Sequence, residues 1–259
     1  MRKSTFIPAA LAAAGLLACA GSAHALATAT ASLSNFQVQV FDLDLLDGIT
    51  ASVTFASGAQ VYATATDGTS VSNFDFNMAG TALSVSALFG NASSSGSTTT
   101  GDFFAPGSGP GASASASVFG VGTQAYGYGS VLSSNFTLSA KTLLIFSAST
   151  SGITATRTLA GETAQGYASV NLNDNNNSQS SYGQSTISVG DNYNNSNLNP
   201  LIQASFVNLT AADVTGYAGA SASAYVIGAP IPEPETYALM LAGLLAIGLV
   251  ARRRNTHTR

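Results

Sequence analysis

The feature that most limits the fold of this chain is a period-two alternation along most of its length. Small or hydroxyl-bearing residues alternate with apolar ones, and no segment sustains a helical period. Because successive side chains of a strand point to opposite faces, this alternation predicts strands with one buried face. About a dozen short strands separated by turn residues are typical of a β-sandwich or a jelly roll. We therefore predict an all-β domain over residues 26–229, called here the passenger.

The alternation is regular enough to place individual strands. The predicted strands are residues 61–66, 74–78, 83–89, 115–121, 136–140, 143–148, 153–159, 166–172, 185–189, 203–209 and 216–227. Two stretches, 92–111 and 171–199, are rich in Ser, Gly, Pro or Asn. They are predicted to be long surface loops, and local disorder is the alternative.

The N-terminus is predicted to be a targeting segment rather than part of the fold. Two basic residues precede an apolar stretch at 6–19, and Ala23 and Ala25 form a small-x-small cleavage site. This order is typical of a secretory signal peptide, residues 1–25, that forms a transient helix and is removed after Ala25.

The single cysteine and both histidines lie outside the passenger. Cys19 follows Leu-Leu-Ala in the signal segment, which loosely resembles a lipoprotein box, so lipidation there is an alternative to cleavage after Ala25. His24 and His257 lie in the two ends of the chain. The passenger therefore lacks a Cys or His nucleophile–base pair, and it lacks the ligands of a typical zinc site.

Charge in the passenger is sparse and acidic. Lys141 and Arg157 are its basic residues, against nine Asp and one Glu. Such a surface disfavours nucleic acid and anionic membrane as partners. Cations, or neutral polymers such as polysaccharide, fit it better.

The densest acidic cluster consists of Asp42, Asp44 and Asp47. Hard cations favour several carboxylate and carbonyl oxygens, so the cluster is a candidate calcium site. A solvated strand end with a hairpin turn at Asp47 into a strand at 49–55 is one alternative, and a glycosidase-like carboxylate pair is another. The apolar face also switches after Val40, which predicts a β-bulge there.

The C-terminal segment combines three features in order: a Pro-Glu-Pro motif, an apolar stretch and a cluster of arginines. They are Pro232, Glu233 and Pro234, then residues 237–251, then Arg252, Arg253 and Arg254 within an Arg-rich end at 252–259. The apolar stretch predicts a single transmembrane helix, with the arginines kept on the cytoplasmic side by the positive-inside preference. It is shorter than the roughly 17–25 residues usual for a span, so snorkelling arginines or local bilayer thinning would make up the difference.

This tail, residues 230–259, closely resembles the PEP-CTERM protein-sorting domain. The resemblance is specific because the three features occur in fixed order. It implies processing by exosortase, a membrane enzyme of Gram-negative bacteria that make exopolysaccharide. The Pro-Glu-Pro motif would be read by that enzyme, and the helix would be a transient inner-membrane anchor before delivery to the cell surface or matrix.

Together these observations predict an exported structural or adhesive protein of the cell surface or biofilm matrix, associated with exopolysaccharide and not an enzyme. We expect no cofactor except the candidate calcium ion, and no nucleic acid partner. One alternative is a secreted carbohydrate-active enzyme that uses Asp42 or Asp44 with a distant carboxylate. Another is a calcium-dependent glycan-binding module.

Overall fold

A computed structural model describes nearly all of the passenger. The described residues are 26–66, 69–120, 122–174, 179–191 and 194–229, with Met240, Gly243, Leu244 and Ile247 as isolated residues of the tail. The signal-peptide helix lies outside them, and four isolated residues do not define the predicted helix at 237–251. Among the described residues, none belongs to a helix with the length and hydropathy needed to cross a membrane.

Within the described residues the passenger forms fourteen strands joined by turns and loops. They are β1 (Leu26–Asp42), β2 (Val53–Phe55), β3 (Ala59–Thr66), β4 (Ser70–Asn77), β5 (Leu83–Phe89), β6 (Ala92–Thr98), β7 (Ala112–Phe119), β8 (Gln124–Leu138), β9 (Thr142–Thr156), β10 (Thr163–Asp174), β11 (Ser180–Val189), β12 (Asn194–Asn197), β13 (Leu201–Asn208) and β14 (Val214–Ile227).

The strands pair antiparallel in two large sheets. The six-stranded sheet has the order β13-β9-β1-β7-β6-β5. The eight-stranded sheet runs β12-β11-β10-β14-β8-β3-β4, and β2 also pairs with β8. The two sheets pack face to face, so the predicted all-β, sandwich-like fold of the passenger is confirmed.

One part of the core between the sheets is thick and aromatic. Phe36 meets Phe146 edge-on at 5.0 Å, and Phe136 meets Phe206 edge-on at 5.4 Å between ring centroids. All four rings are buried. Burying a side chain of this size contributes about 1.5–3 kcal/mol relative to leaving it in water, so this part carries much of the hydrophobic stabilisation.

The other part of the core is thin and made almost entirely of alanine and glycine. Its buried alanines include Ala27, Ala29, Ala63, Ala65, Ala114, Ala116, Ala125, Ala164 and Ala224. A Cβ on Gly96 would lie 1.9 Å from the carbonyl oxygen of Tyr128, and one on Gly127 would lie 2.2 Å from that of Ser95. Only glycine allows the two backbones to come this close. The passenger core therefore tapers along its strands.

Strand β1 departs from the sequence prediction near its C-terminal end. Its register against β9 shifts at two earlier points, and the second shift holds Asn35 at a φ of +53°. Residues 37–42 then pair without interruption, so the bulge predicted after Val40 is wrong. The alternation continues instead and leaves Phe41 on the outer face, 46% exposed.

Both predicted surface loops contain strands, so the prediction is wrong over those strands, whereas residues 99–111 form a loop as predicted. Strand β6 occupies the start of 92–111, and β11 and β12 occupy much of 171–199. The prediction looked for large apolar residues, but a strand over the thin core needs only Ala, Gly or Ser on its inner face. The predicted strands 143–148 and 153–159 lie largely within one strand, β9. Of the predicted strand 136–140, only residues 136–138 are extended, and they form the end of the long strand β8.

The predicted hairpin after Asp47 is also wrong. Only Val53–Phe55 of the expected strand at 49–55 is extended, and it pairs with β8 rather than with β1.

Candidate functional site

The predicted acidic cluster lies at the end of β1 and in the turn after it. Asp42 Oδ1 accepts a hydrogen bond from the Asp44 N–H at 2.9 Å, and Asp44 Oδ1 accepts one from Leu46 at 3.2 Å. Asp47 Oδ1 accepts one from the Ile49 N–H at 2.7 Å. These are Asx turns, so each carboxylate stabilises its own stretch of loop. Among the described residues no three Asp, Glu, His or Cys side chains gather where they could hold one metal ion. The calcium site stays a prediction.

Part of the outer face of the six-stranded sheet is a regular array of hydroxyl groups, called here the hydroxyl face. The strand registers place its members in three rows: Thr156, Thr28, Ser117 and Ser93; Thr154, Thr30, Ser115 and Ser95; Ser151, Ser32, Ser113 and Ser97. Neighbouring hydroxyls bond across the strands, at 2.7 Å for Thr28 with Thr156 and 2.8 Å for Ser95 with Ser115. The face is polar and carries no charge.

The outer face of the eight-stranded sheet carries a cluster of aromatic rings, called here the aromatic face. Its members are Phe74 and Phe76 on β4, Tyr62 on β3, Tyr126 and Tyr128 on β8, Tyr225 on β14 and Tyr167 on β10. Tyr62 pairs directly with both Phe74 and Tyr128, and Tyr126 pairs with Tyr225. The rings of Tyr126 and Tyr128 lie 6.4 Å apart at 18°, and that of Tyr62 lies 5.9 Å from Tyr126. Five strands thus contribute aromatic side chains to one surface.

The phenols of this face differ in acidity. Burial raises the pKa of Tyr126 to about 12, and the nearby phenols of Tyr128 and Tyr62 add to the rise. Burial also raises the pKa of Tyr167, whereas a hydrogen bond with the Ser72 side chain lowers the pKa of Tyr62. Tyr126 and Tyr167 are therefore neutral hydrogen-bonding groups at physiological pH.

The surroundings of the rings are polar but uncharged. In β3, β8, β14 and β10, which are described in full, no outward-facing position holds a charged side chain. Gln60 and Gln165 contribute amides, and Ser223 contributes a hydroxyl between Tyr128 and Tyr167. A ligand on this face would meet rings, amides and hydroxyls.

A buried carboxylate closes the turn between β9 and β10. Glu162 Oε2 accepts the backbone N–H groups of Thr158 and Leu159, both at 2.7 Å. Its Oε1 has no hydrogen-bond partner within the described part of the chain. Nearby, Asp191 pairs with Arg157, and this hydrogen bond lowers the pKa of Asp191. These acids are engaged with the turn and with the half-buried Arg157.

Comparison with known families finds that the family model of the PEP-CTERM protein-sorting motif matches residues 230–254. The chain carries a PEP-CTERM sorting motif. The motif indicates an exported protein that exosortase processes at the membrane for delivery to the cell surface, and it confirms the resemblance found in the sequence. No curated protein and no solved structure matches the chain.

The individual residues of the PEP-CTERM motif and of the signal segment lie outside the described residues. They are Pro232, Glu233, Pro234, Arg252, Arg253, Arg254, Ala23, Ala25 and Cys19. Their roles stay predictions, to be tested by processing experiments.

The aromatic face was not predicted from the sequence. Its rings come from five strands between Tyr62 and Tyr225, and only the strand order brings them together. A signal was present in residues 125–129, Ala-Tyr-Gly-Tyr-Gly, where rings alternate with the smallest residues. If the small side faces the other sheet, the rings must face solvent.

Proposed function

We propose that the mature passenger is a non-enzymatic structural component of the cell surface or extracellular matrix of a Gram-negative bacterium, associated with its exopolysaccharide. The PEP-CTERM motif accounts for export of the protein and its delivery to the cell surface. The observation that carries the rest is the chemistry of the two outer faces, one of hydroxyls and one of rings and amides, both uncharged on their central strands. A neutral hydrated polymer meets the face of rings and amides without any cost of desolvating charge.

The engagement of the acidic residues supports a non-enzymatic role over the carbohydrate-active alternative. Carboxylates of a glycosidase must point toward one substrate from two sides. Six of the passenger's acids instead accept hydrogen bonds from their own local backbone: Asp42, Asp44, Asp47, Asp75, Asp102 and Glu162.

The proposal is tested by separating the cells, the extracellular matrix and the medium, then measuring the intact mass of the protein in each. We expect the protein in the matrix, starting at Leu26 and ending near Pro232–Pro234. Depolymerising the exopolysaccharide with a glycanase should release it, and high salt should not, because the association is uncharged. A protein that stays on the membrane at full length, or that only salt releases, would contradict the proposal. A lipid-modified Cys19 as the first residue would support the lipoprotein alternative.

A further inference from the structure

We propose that the aromatic face is the polysaccharide-binding surface of the passenger, and that a neutral polysaccharide chain lies on it across the strands. This inference rests on the proposed function and names the site and the class of ligand. The binding would not require calcium, unlike the module that the acidic cluster predicts.

The strand registers place a continuous row across the face. Phe74 pairs with Tyr62, Tyr62 pairs with Tyr128, Tyr128 pairs with Ser223, and Ser223 pairs with Tyr167. The row crosses five neighbouring strands, and at a strand spacing of about 4.8 Å it spans on the order of 19 Å. This length suits several consecutive sugar units rather than a single one, so the row fits a polymer.

The composition of the face matches the surface of a sugar ring. A pyranose presents C–H groups on its faces and hydroxyls around its edge, so aromatic rings can pack against the faces while amides and hydroxyls bond the edge. Tyrosine offers both an apolar body and a polar tip. Gln60 and Gln165 on the flanking rows add amides. The amide of Gln60 already donates to the Ser133 hydroxyl at 2.9 Å. A purely apolar protein partner would still bury polar groups of this face away from water, at a cost.

The lack of charged side chains on the central strands of this face favours a neutral ligand. Outward positions of the central strands β3, β8, β14 and β10 are uncharged. An anionic polymer or lipid surface would be met by basic residues, and this face offers none on those strands. Phe74 and Phe76 are 61% and 47% exposed, so their rings are available to a ligand.

The aromatic face is supported by the close packing of the two sheets beneath it. On β8 the rings of Tyr126 and Tyr128 alternate with Ala125, Gly127 and Gly129, which face the other sheet, and backbone carbonyl oxygens of that sheet lie against the two glycines. The rings also contact one another. Little conformational freedom is left for binding to remove, which favours affinity.

The test uses the mature protein isolated from culture and two neutral probes, the purified neutral exopolysaccharide of the producing strain and cellulose. Binding isotherms come from co-sedimentation, with alginate as an anionic probe. We expect binding to at least one neutral probe, none to alginate, and no change on adding EDTA. Tyr62→Ala with Tyr128→Ala should weaken binding by at least about tenfold, a change of about one decade in Kd.

Matched variants separate binding from folding. Phe74→Ala removes an exposed ring and should weaken binding several-fold while the thermal transition stays unchanged. Tyr128→Phe keeps the ring and should bind nearly as well as the parent chain. Ser95→Ala with Ser115→Ala, on the hydroxyl face, should leave binding unchanged.

Four outcomes would overturn the inference: no binding to either neutral probe, loss of binding in EDTA, loss through the hydroxyl-face variant alone, or concentration-dependent dimers that the Phe74 variant abolishes. The last would make a second copy of the chain the occupant of the face.

If the protein is found in the matrix but binds neither neutral probe, the inference fails and the proposed function stands. If it binds a probe but stays at full length on the cell membrane, the proposed function fails instead.

Discussion

Among single residues, Tyr126 gives the passenger a specific dependence of stability on pH. Burial between neighbouring rings raises its pKa to about 12, from 10.0 for a free tyrosine. Between these values the folded state holds the phenolic proton and the unfolded state has lost it. The stabilisation is therefore complete below about pH 10 and is lost as pH rises toward about 12.

This predicts that Tyr126→Phe, which cannot ionise, removes part of the alkaline loss of stability. The free energy of unfolding should be measured by urea denaturation at a series of values from about pH 9 to about pH 12. Tyr182→Phe is the control, because Tyr182 is 51% exposed. Equal alkaline losses in the parent chain and in Tyr126→Phe would show that the burial of this phenol does not matter for stability.

Residue-level prediction from sequence reaches groups that are close along the chain. Asp42, Asp44 and Asp47 lie in one short segment, so their proximity is evident from the sequence, but whether they share an ion stays a prediction and the hairpin expected after Asp47 is wrong. Their hydrogen bonds could not be anticipated, because an Asx turn depends on backbone conformation. The rings of Tyr62 and Tyr167 lie in one row only through strand pairing, which a single sequence does not specify.

At the level of strands, the size of the inner-face residues explains both the successes and the failures of the prediction. Strand β5 was predicted with its observed bounds because Leu, Val and Phe mark its inner face. Strand β6 was missed because Ala92, Ser94 and Gly96 mark its inner face. Where the inner face holds only very small or hydroxyl-bearing residues, hydrophobicity does not distinguish a strand from a loop.

The close approach of the two sheets predicts a large penalty for adding one carbon atom. In Gly127→Ala the new Cβ would lie 2.2 Å from the Ser95 oxygen and 2.5 Å from the Ser115 oxygen, both of them backbone atoms that cannot rotate away. Overpacking a core usually costs about 1–3 kcal/mol, and we expect at least the upper end here.

Urea denaturation measures this cost as a lower midpoint. Ser115→Ala, on the strand that Gly127 faces, is the control, because its side chain lies on the outer surface. We expect a change there within about 1 kcal/mol, the usual net value of one hydrogen bond. A Gly127→Ala protein as stable as the parent chain would mean that the sheets are farther apart than described.

At the scale of the whole molecule, the sorting tail was the most predictable feature and the passenger's role the least. The tail is read as a linear motif, so its order of proline, glutamate, apolar residues and arginines is already in the sequence. The passenger acts through surfaces that exist only after folding. Its ligand class is argued from those surfaces, since no curated protein and no solved structure matches the chain.

We propose that the tail is a sorting signal that is cut, not a permanent anchor. An anchor needs only an apolar helix and a basic stop, so its Pro-Glu-Pro segment could be replaced freely. A sorting signal needs the motif itself, and two prolines keep that segment extended for an enzyme cleft.

The most direct test replaces Pro232, Glu233 and Pro234 by alanine and measures the amount and intact mass of the protein at the cell surface and in the medium. The substitution leaves residues 237–251 and the arginine cluster unchanged, so insertion into the membrane should survive. We expect surface delivery to fail and protein that retains its C-terminal tail to accumulate in the inner membrane. Surface protein at the parental level and mass would contradict the account and make the tail an ordinary anchor.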